Sequence, residues 1–238
     1  MENVYIQNAA AGTYTVTINA FNIPNGPQRF ALAVDGGTIG TGPTPTNTPT
    51  PTVTPTPTNT PSGSTSTGYL APSAQAPQTS NAGDNNGYQT NPANVFVDDG
   101  LVATDLDSGT NNKTTCTDNG KDKHFFYNFN FNIPSTAVIQ GLQVRLDART
   151  ENTKNNPRIC VQISWDGGTT WTTAKQTPNL STTEASYFLG GPSDNWGRAW
   201  SASNFTNTSF RVRVIDVAGN TGRDFFLDYL AVNVTYQP

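Results

Sequence analysis

Leu142–Arg149 reads LQVRLDAR, and apolar and polar residues alternate through it without a break. Leu142, Val144, Leu146 and Ala148 fall on one side, and Gln143, Arg145, Asp147 and Arg149 on the other. Successive side chains of a strand point to opposite faces, so a period of two means one apolar face and one wet face. That is a strand covering a core, and the rest of the chain can be read outward from it.

The alternation recurs on both sides. Ile159, Val161, Ile163 and Trp165 point inward in the next strand, which turns Cys160 outward. Tyr187–Leu189 reads as a short strand. Ser209–Val217 places Phe210, Val212 and Val214 inside and Arg211 and Arg213 outside, and Phe226–Tyr236 sets Leu230, Val232, Val234 and Tyr236 on one face. Upstream, Phe125–Ile133 is predicted as a strand with Phe125, Tyr127, Phe129, Phe131 and Ile133 on its core face. Val95–Val97 is predicted as another before the turn Asp98-Asp99-Gly100. Large apolar side chains on a shared face are worth ~1.5–3 kcal/mol each when buried. The fold class is all-β, with an antiparallel β-sandwich over residues 69–238.

Composition agrees. The 238 residues include 21 Gly and 17 Pro with only 13% charged residues, a profile of all-β extracellular proteins. A net charge of −4 and a pI near 4.8 argue against nucleic acid, which selects a basic surface. No run of ~18 apolar residues is present, so no membrane insertion is expected. Met1-Glu2-Asn3 opens no signal peptide, and the chain is read as part of a longer secreted precursor.

Pro43–Pro61 is PTPTNTPTPTVTPTPTNTP, in which PTPTNTP occurs at Pro43–Pro49 and again at Pro55–Pro61. Proline fixes φ, removes a backbone donor and disfavours helix in the residue before it. The stretch therefore predicts a polyproline II spacer of roughly 60 Å, at ~3.1 Å per residue. With its softer continuation Ser62–Gly68 it forms a linker over 41–68. Residues 1–40 contain three predicted strands: Asn3–Asn8, the strictly alternating Thr13–Asn22, and Arg29–Asp35. Three strands cannot enclose a core, so this is an incomplete domain. Its strands are expected to self-associate with another subunit, or to pair with strands missing upstream.

Three resemblances attach to the chain. VYIQNAAAGTYTVTINAFNIPNGPQRFALAVDGG resembles the last three strands of the small β-sandwich that follows the catalytic domain in many secreted bacterial subtilisin-like peptidases. The resemblance implies a secreted origin and carries over no catalytic residue. The C-terminal unit resembles the jelly-roll modules appended to secreted hydrolases, through its D-D-G loop, an F-x-I-P stretch and the terminal FLDYLAVNV. Within it, Ser164–Trp171 is SWDGGTTW. It is similar to the Asp-box hairpin of sialidases and other extracellular β-proteins, with Ser164, Asp166, Gly168, Thr170 and Trp171 at the motif's positions. There the box is a fold element. Asp166 can accept from the turn's amides, the glycines allow positive φ, and Trp171 packs under the turn.

Candidate chemistry is sparse. Cys116 and Cys160 would close a loop worth up to ~4 kcal/mol as a disulfide. The other reading is a metal site of both cysteines with His124, which lacks a fourth ligand. Asp98, Asp99, Asp105 and Asp107 offer oxygens for calcium; the alternative is a solvated acidic loop with Asx-turns. No other cofactor is expected. His124 has no sequence-visible partner as a base, and Asp194 with Asp216 or Asp224 would be a distant carboxylate pair. Tyr187, Trp196 and Trp200, with Asp194, Asn195 and Arg198, could form a stacking platform for sugar rings, or the tryptophans could plug one end of the sandwich. Arg145, Arg149, Arg211 and Arg213 are read as lining one sheet face, in cross-strand ion pairs with Asp147 among them rather than as an anion site. The function that follows is non-catalytic: a secreted protein in adhesion, binding or assembly, with a filament role through the N-terminal strands. The alternative is a polysaccharide-binding accessory region of a secreted serine peptidase.

Overall fold

The computed structural model describes residues 63–238. They carry ten strands: β1 (Thr65–Ser66), β2 (Ala74–Pro77), β3 (Ala103–Asp105), β4 (Lys123–Tyr127), β5 (Val138–Thr150), β6 (Arg158–Ser164), β7 (Lys175–Gln176), β8 (Ala185–Gly190), β9 (Arg211–Val217) and β10 (Phe225–Gln237). Two short 3-10 turns, Pro92–Phe96 and Ala202–Phe205, complete the elements. The three N-terminal strands, their peptidase resemblance, their self-association and the Pro43–Pro61 spacer lie outside the described residues.

Every pairing is antiparallel, and the strands form two sheets. In the first, β1 and β3 share one edge of β10, and β5 and β8 follow; the second runs β2-β4-β9-β6-β7. From β3 to β10 the chain crosses between sheets at each step except the β6–β7 hairpin. The resulting orders 3-10-5-8 and 4-9-6-7 are those of a jelly roll. The two longest strands, β5 and β10, pair over almost their whole length and form the middle of the first sheet.

The core lies where the alternation places it. Leu142, Val144, Leu146 and Ala148 of β5 are fully buried, as are Ile159, Val161 and Ile163 of β6. Phe210 just before β9, Val212 and Val214 of β9, and Leu230, Val232 and Val234 of β10, face them from both sheets. Cys160 points to the other side of β6, where it meets Ile215, Val217 and Ala174. There it is bonded to Cys116, with Cα atoms 5.7 Å apart. The disulfide staples the polar loop before β4 onto the second sheet and removes both thiols from any metal site.

Three strand expectations change. Phe125–Ile133 is not one strand. It ends at Tyr127, because Asn128 and Asn130 take left-handed φ values of 60° and 55°. The inward residues of β4 are His124 and Phe126, not Phe125 and Tyr127. The asparagines shift the phase, and beyond them Phe129 and Phe131 stack on each other and pack edge-on to Phe210 at one end of the sandwich. Val95–Val97 is not a strand either: Asn91 at φ 49° followed by Pro92 opens a 3-10 turn that buries Val95. Finally, Thr65 and Ser66 belong to the sandwich rather than the linker, paired to Tyr236 and Thr235. An edge pairing needs backbone groups, not apolar side chains, so nothing in their composition announces it.

Candidate functional site

The first sheet has one face in the core and one face outward, and the outward face is where exposed aromatic and hydrogen-bonding groups collect. Along β5 it presents Gln143, Arg145, Asp147 and Arg149. Directly opposite on β10 stand Asn233, Ala231, Tyr229 and Phe226, and beside Arg145 on β8 stands Phe188. The segment after β1 runs along the edge of β10, with Leu70 bridged to Val232. Tyr69 therefore lies across the sheet: its hydroxyl meets the Gln143 amide, and its ring centre is 6.2 Å from that of Phe188. Tyr69 is 36% exposed and Phe188 51%. Few large apolar side chains of the described residues are this open, and these two touch.

Charged groups hold the floor of this face in place. The Arg145 guanidinium donates to Asp147 on its own strand and to Asp98 at 2.8 Å, and it lies 5.1 Å from the centre of the Tyr229 ring. Arg149 sits 3.9 Å over Phe226. Burial raises the Tyr69 and Tyr229 hydroxyls above their ordinary range, so both remain donors at neutral pH. Two loops bound the face. At one end, Asp98 and Asp99 are anchored through the Gly100 amide, which donates to the Asp228 carboxylate. At the other, Gly190–Asn195 crosses Gly141, where an added Cβ would lie 2.5 Å from the Gly191 oxygen. This loop lines one hollow, and Pro192 also borders a second one formed with Ser64, Thr65, Ser66, Asn233 and Thr235.

The predicted tryptophan platform is not assembled. Trp196 is only 3% exposed, and its indole N–H donates to the Leu142 carbonyl inside the sandwich at 3.0 Å. Tyr187 is opposite Leu146, on the core side of β8, and its hydroxyl accepts from the Ser181 amide. Trp200 packs on Phe205 and Phe210, and Arg198 lies 3.7 Å from the ring centre of Trp165 and 4.4 Å from that of Trp200. Asp194 pairs with Lys175 and accepts from the Trp196 amide, while the Asn195 side chain accepts from Gly197. Trp196 is packed inside the sandwich, and Trp200 is half-buried against Phe205 and Phe210. The alternation of β8 held the clue to the residue that was missed, since Tyr187 and Leu189 inward leaves Phe188 outward.

The Ser164–Trp171 hairpin has the bonding its residues suggest. Asp166 Oδ1 accepts from the Thr169 and Thr170 amides at 3.1 and 2.8 Å and from the Ser164 hydroxyl at 2.9 Å. Gly167 and Gly168 have φ of 77° and 99°. Trp171 donates to the Gly168 carbonyl, stacks on Phe125, and carries Arg213 at 4.1 Å on its ring. These bonds draw the Asp166 carboxyl down to about 2. A depressed folded-state pKa stabilises above the ordinary carboxylate range and is lost as pH falls towards 2. Asp166→Ala should cost about 1 kcal/mol, as for a lost cap, and lower the melting temperature by roughly 2–4 °C. A thermal melt checks this; an unchanged melting temperature would remove the structural role.

The other candidate groups separate. Arg145 and Arg149 are on the first sheet and Arg211 and Arg213 on the second, so they do not share a face. Three of the four rest on aromatic rings instead of forming ion pairs: Arg149 on Phe226, Arg211 on Tyr127 and Arg213 on Trp171. The four aspartates proposed for calcium are divided. Asp98 reaches Arg145 and Asp99 accepts from the Leu101 amide, whereas Asp105 and Asp107 accept from the Asp107 and Gly109 amides in another loop. His124 is buried with both nitrogens bonded, Nδ1 accepting from the Tyr88 amide and Nε2 meeting Gln75 Oε1 at 2.6 Å. Burial pushes it down to about 4, so it is neutral. Asp194, Asp216 and Asp224 have no partner in common: Asp216 accepts from the Tyr88 hydroxyl, and Asp224 uses its backbone carbonyl.

No helix of the described residues is long and apolar enough to cross a membrane. No protein-family model and no curated protein matches the chain. Among solved structures, the family 29 carbohydrate-binding module CBM29_1 of Piromyces equi is similar at a TM-score of 0.30 and 12% identity, over 72% of this chain and 90% of that one. The xylan-binding module CBM15 is similar at 0.32 and 13%, over 74% and 92%. The CBM22-1–GH10 modules of Clostridium thermocellum xylanase 10B, complexed with xylohexaose, are similar at 0.29 and 9%, over 58% and 25%. At these scores the likenesses add nothing to the fold, which rests on the strand order of this chain.

Proposed function

We propose that the sandwich is a non-catalytic binding domain of a secreted protein, taking a polysaccharide chain across the outer face of its first sheet. The observation that carries this is the touching, exposed pair Tyr69 and Phe188, set among Gln143, Asn233, Arg145 and Asp98. Aromatic faces accept the apolar C–H faces of sugar rings, while neighbouring amides, a guanidinium and a carboxylate satisfy the hydroxyls. Among the described residues of this face, no nucleophile is hydrogen-bonded to a base. The Cys116–Cys160 disulfide fits an oxidising, extracellular setting.

The test is retention on insoluble polysaccharides, xylan and cellulose among them, with isothermal titration against soluble oligomers of whichever is bound. Phe188→Ala and Tyr69→Ala should each weaken binding about tenfold or more, a loss of ~1.4 kcal/mol. Phe188→Ala should leave the melting temperature almost unchanged, because an exposed side chain supports little of the fold. Full retention by both variants, or no polysaccharide retained by the wild type, would overturn the reading.

A further inference from the structure

Away from the sheet face, the connection after β2 and the two ends of the β3–β4 connection bring together Asp84, Asp107 and Asp122. One carboxylate oxygen from each lies within 4.8 Å of the other two. Asp84 is in the loop before Tyr88, Asp107 follows β3, and Asp122 immediately precedes β4. The approach is close: a Cβ on Gly83 would fall 1.9 Å from Asp122 Oδ1, and one on Gly109 would fall 2.2 Å from the Gly120 carbonyl.

Three carboxylates at this distance repel one another; the Lys121 and Lys123 charges are felt by Asp122, but neither lysine closes an ion pair with any of the three. None of the ion pairs among the described residues involves Asp84, Asp107 or Asp122. Lys121 is buried nearby but bonds to neutral groups only, the Ser108 hydroxyl and the carbonyls of Asn111 and Ala218. Lys123 likewise donates to the Asn81 carbonyl. Asp122 is the decisive residue. It is 1% exposed, and its Oδ1 accepts from the Asp84 amide at 3.2 Å. Its Oδ2 accepts from no N–H or hydroxyl, and the side chain that Asp122 meets is the Asp107 carboxyl. A buried carboxylate oxygen without a partner is costly. Beside it, fully buried Asp105 has an Oδ2 with no N–H or hydroxyl donor, its carboxyl meeting that of Asp216.

We infer that Asp84, Asp107 and Asp122 form a binding site for a hard divalent cation, calcium first. The donors are all oxygen, with no histidine or thiolate, which selects calcium or magnesium over the softer metals. Calcium sits ~2.3–2.6 Å from its oxygen ligands and so reaches opposite ligands up to about 5 Å apart, with water completing its shell. A cation there would supply the missing partner of Asp122 and tie the segment between β2 and Tyr88 to both ends of the β3–β4 connection. The residues differ from the set Asp98, Asp99, Asp105 and Asp107, sharing only Asp107.

The experiment uses the full chain, stripped with EDTA and titrated calorimetrically with calcium chloride and with magnesium chloride, alongside thermal melts in each. One-to-one binding is expected, with the melting temperature rising about 5–10 °C at a hundredfold excess over the dissociation constant. A rise with magnesium alone would assign the site to that ion. Asp84→Asn keeps shape and removes one charge, so it should abolish most of the metal-dependent rise while leaving the stripped protein at least as stable. Calcium and magnesium both failing to bind, or Asp84→Asn and Asp107→Asn both keeping the full rise, would overturn the site.

Discussion

Replacing Trp196 with alanine should lower stability by about 3–5 kcal/mol, or roughly 6–20 °C in melting temperature. The indole is almost wholly enclosed, its N–H holds the carbonyl of Leu142 in the central strand of the first sheet, and Lys175 lies 5.2 Å from its ring centre. Truncation leaves a cavity the size of an indole and removes one of the two donors to the Leu142 carbonyl, the other being the Gly191 amide at 3.0 Å. The loop Gly190–Asn195, which crosses Gly141 and bounds the proposed binding face, should loosen with it. Thermal melts of Trp196→Ala and Phe188→Ala side by side make the contrast: the first should fall sharply, the second hardly at all. A Trp196→Ala protein of unchanged stability that had lost polysaccharide retention would return this residue to the binding surface.

Reducing the disulfide should have an effect of similar size. Cys116 and Cys160 are 44 residues apart in sequence, and closing a loop of that length is worth up to about 4 kcal/mol in the chain-entropy treatment. Cys160 is fully buried against Ile215 and Val217, so a reduced protein also leaves a thiol in an apolar site while the 110–120 loop is freed. A melt in strong reductant should therefore shift down by roughly 8–16 °C. Free-thiol titration of the unfolded, unreduced protein should find none. Two titratable thiols, or a melting temperature indifferent to reductant, would contradict the bond.

The sequence by itself determined the all-β class, the inward residues of β5, β6 and β9 together with Leu230, Val232 and Val234 of β10, and the outward turn of Cys160. Strict alternation over seven or more residues has one physical solution, a strand with one face in the core. The hairpin at Ser164–Trp171 was equally legible, because its bonds are local: Asp166 reaches amides three and four residues away. Phase across an interruption was not. Asn128 and Asn130 in left-handed conformation move β4 by one residue, and no count of apolar positions detects that shift.

Tertiary structure alone decided the site. Tyr69 meets Phe188 across three strands, a contact fixed by the strand order 10-5-8 and by the bridge of Leu70 to Val232. The aspartates show the same division of labour. Asp98, Asp99, Asp105 and Asp107 are neighbours in sequence, yet the chain between them carries the first pair towards Arg145 and Asp228 and the second pair elsewhere. Asp84, Asp107 and Asp122 are distant in sequence and end with carboxylate oxygens within 4.8 Å. Local hydrogen bonds and alternating burial are written in consecutive residues. Which side chains share a face or a pocket depends on how loops of several lengths return to the same edge, and only the packed sandwich fixes that.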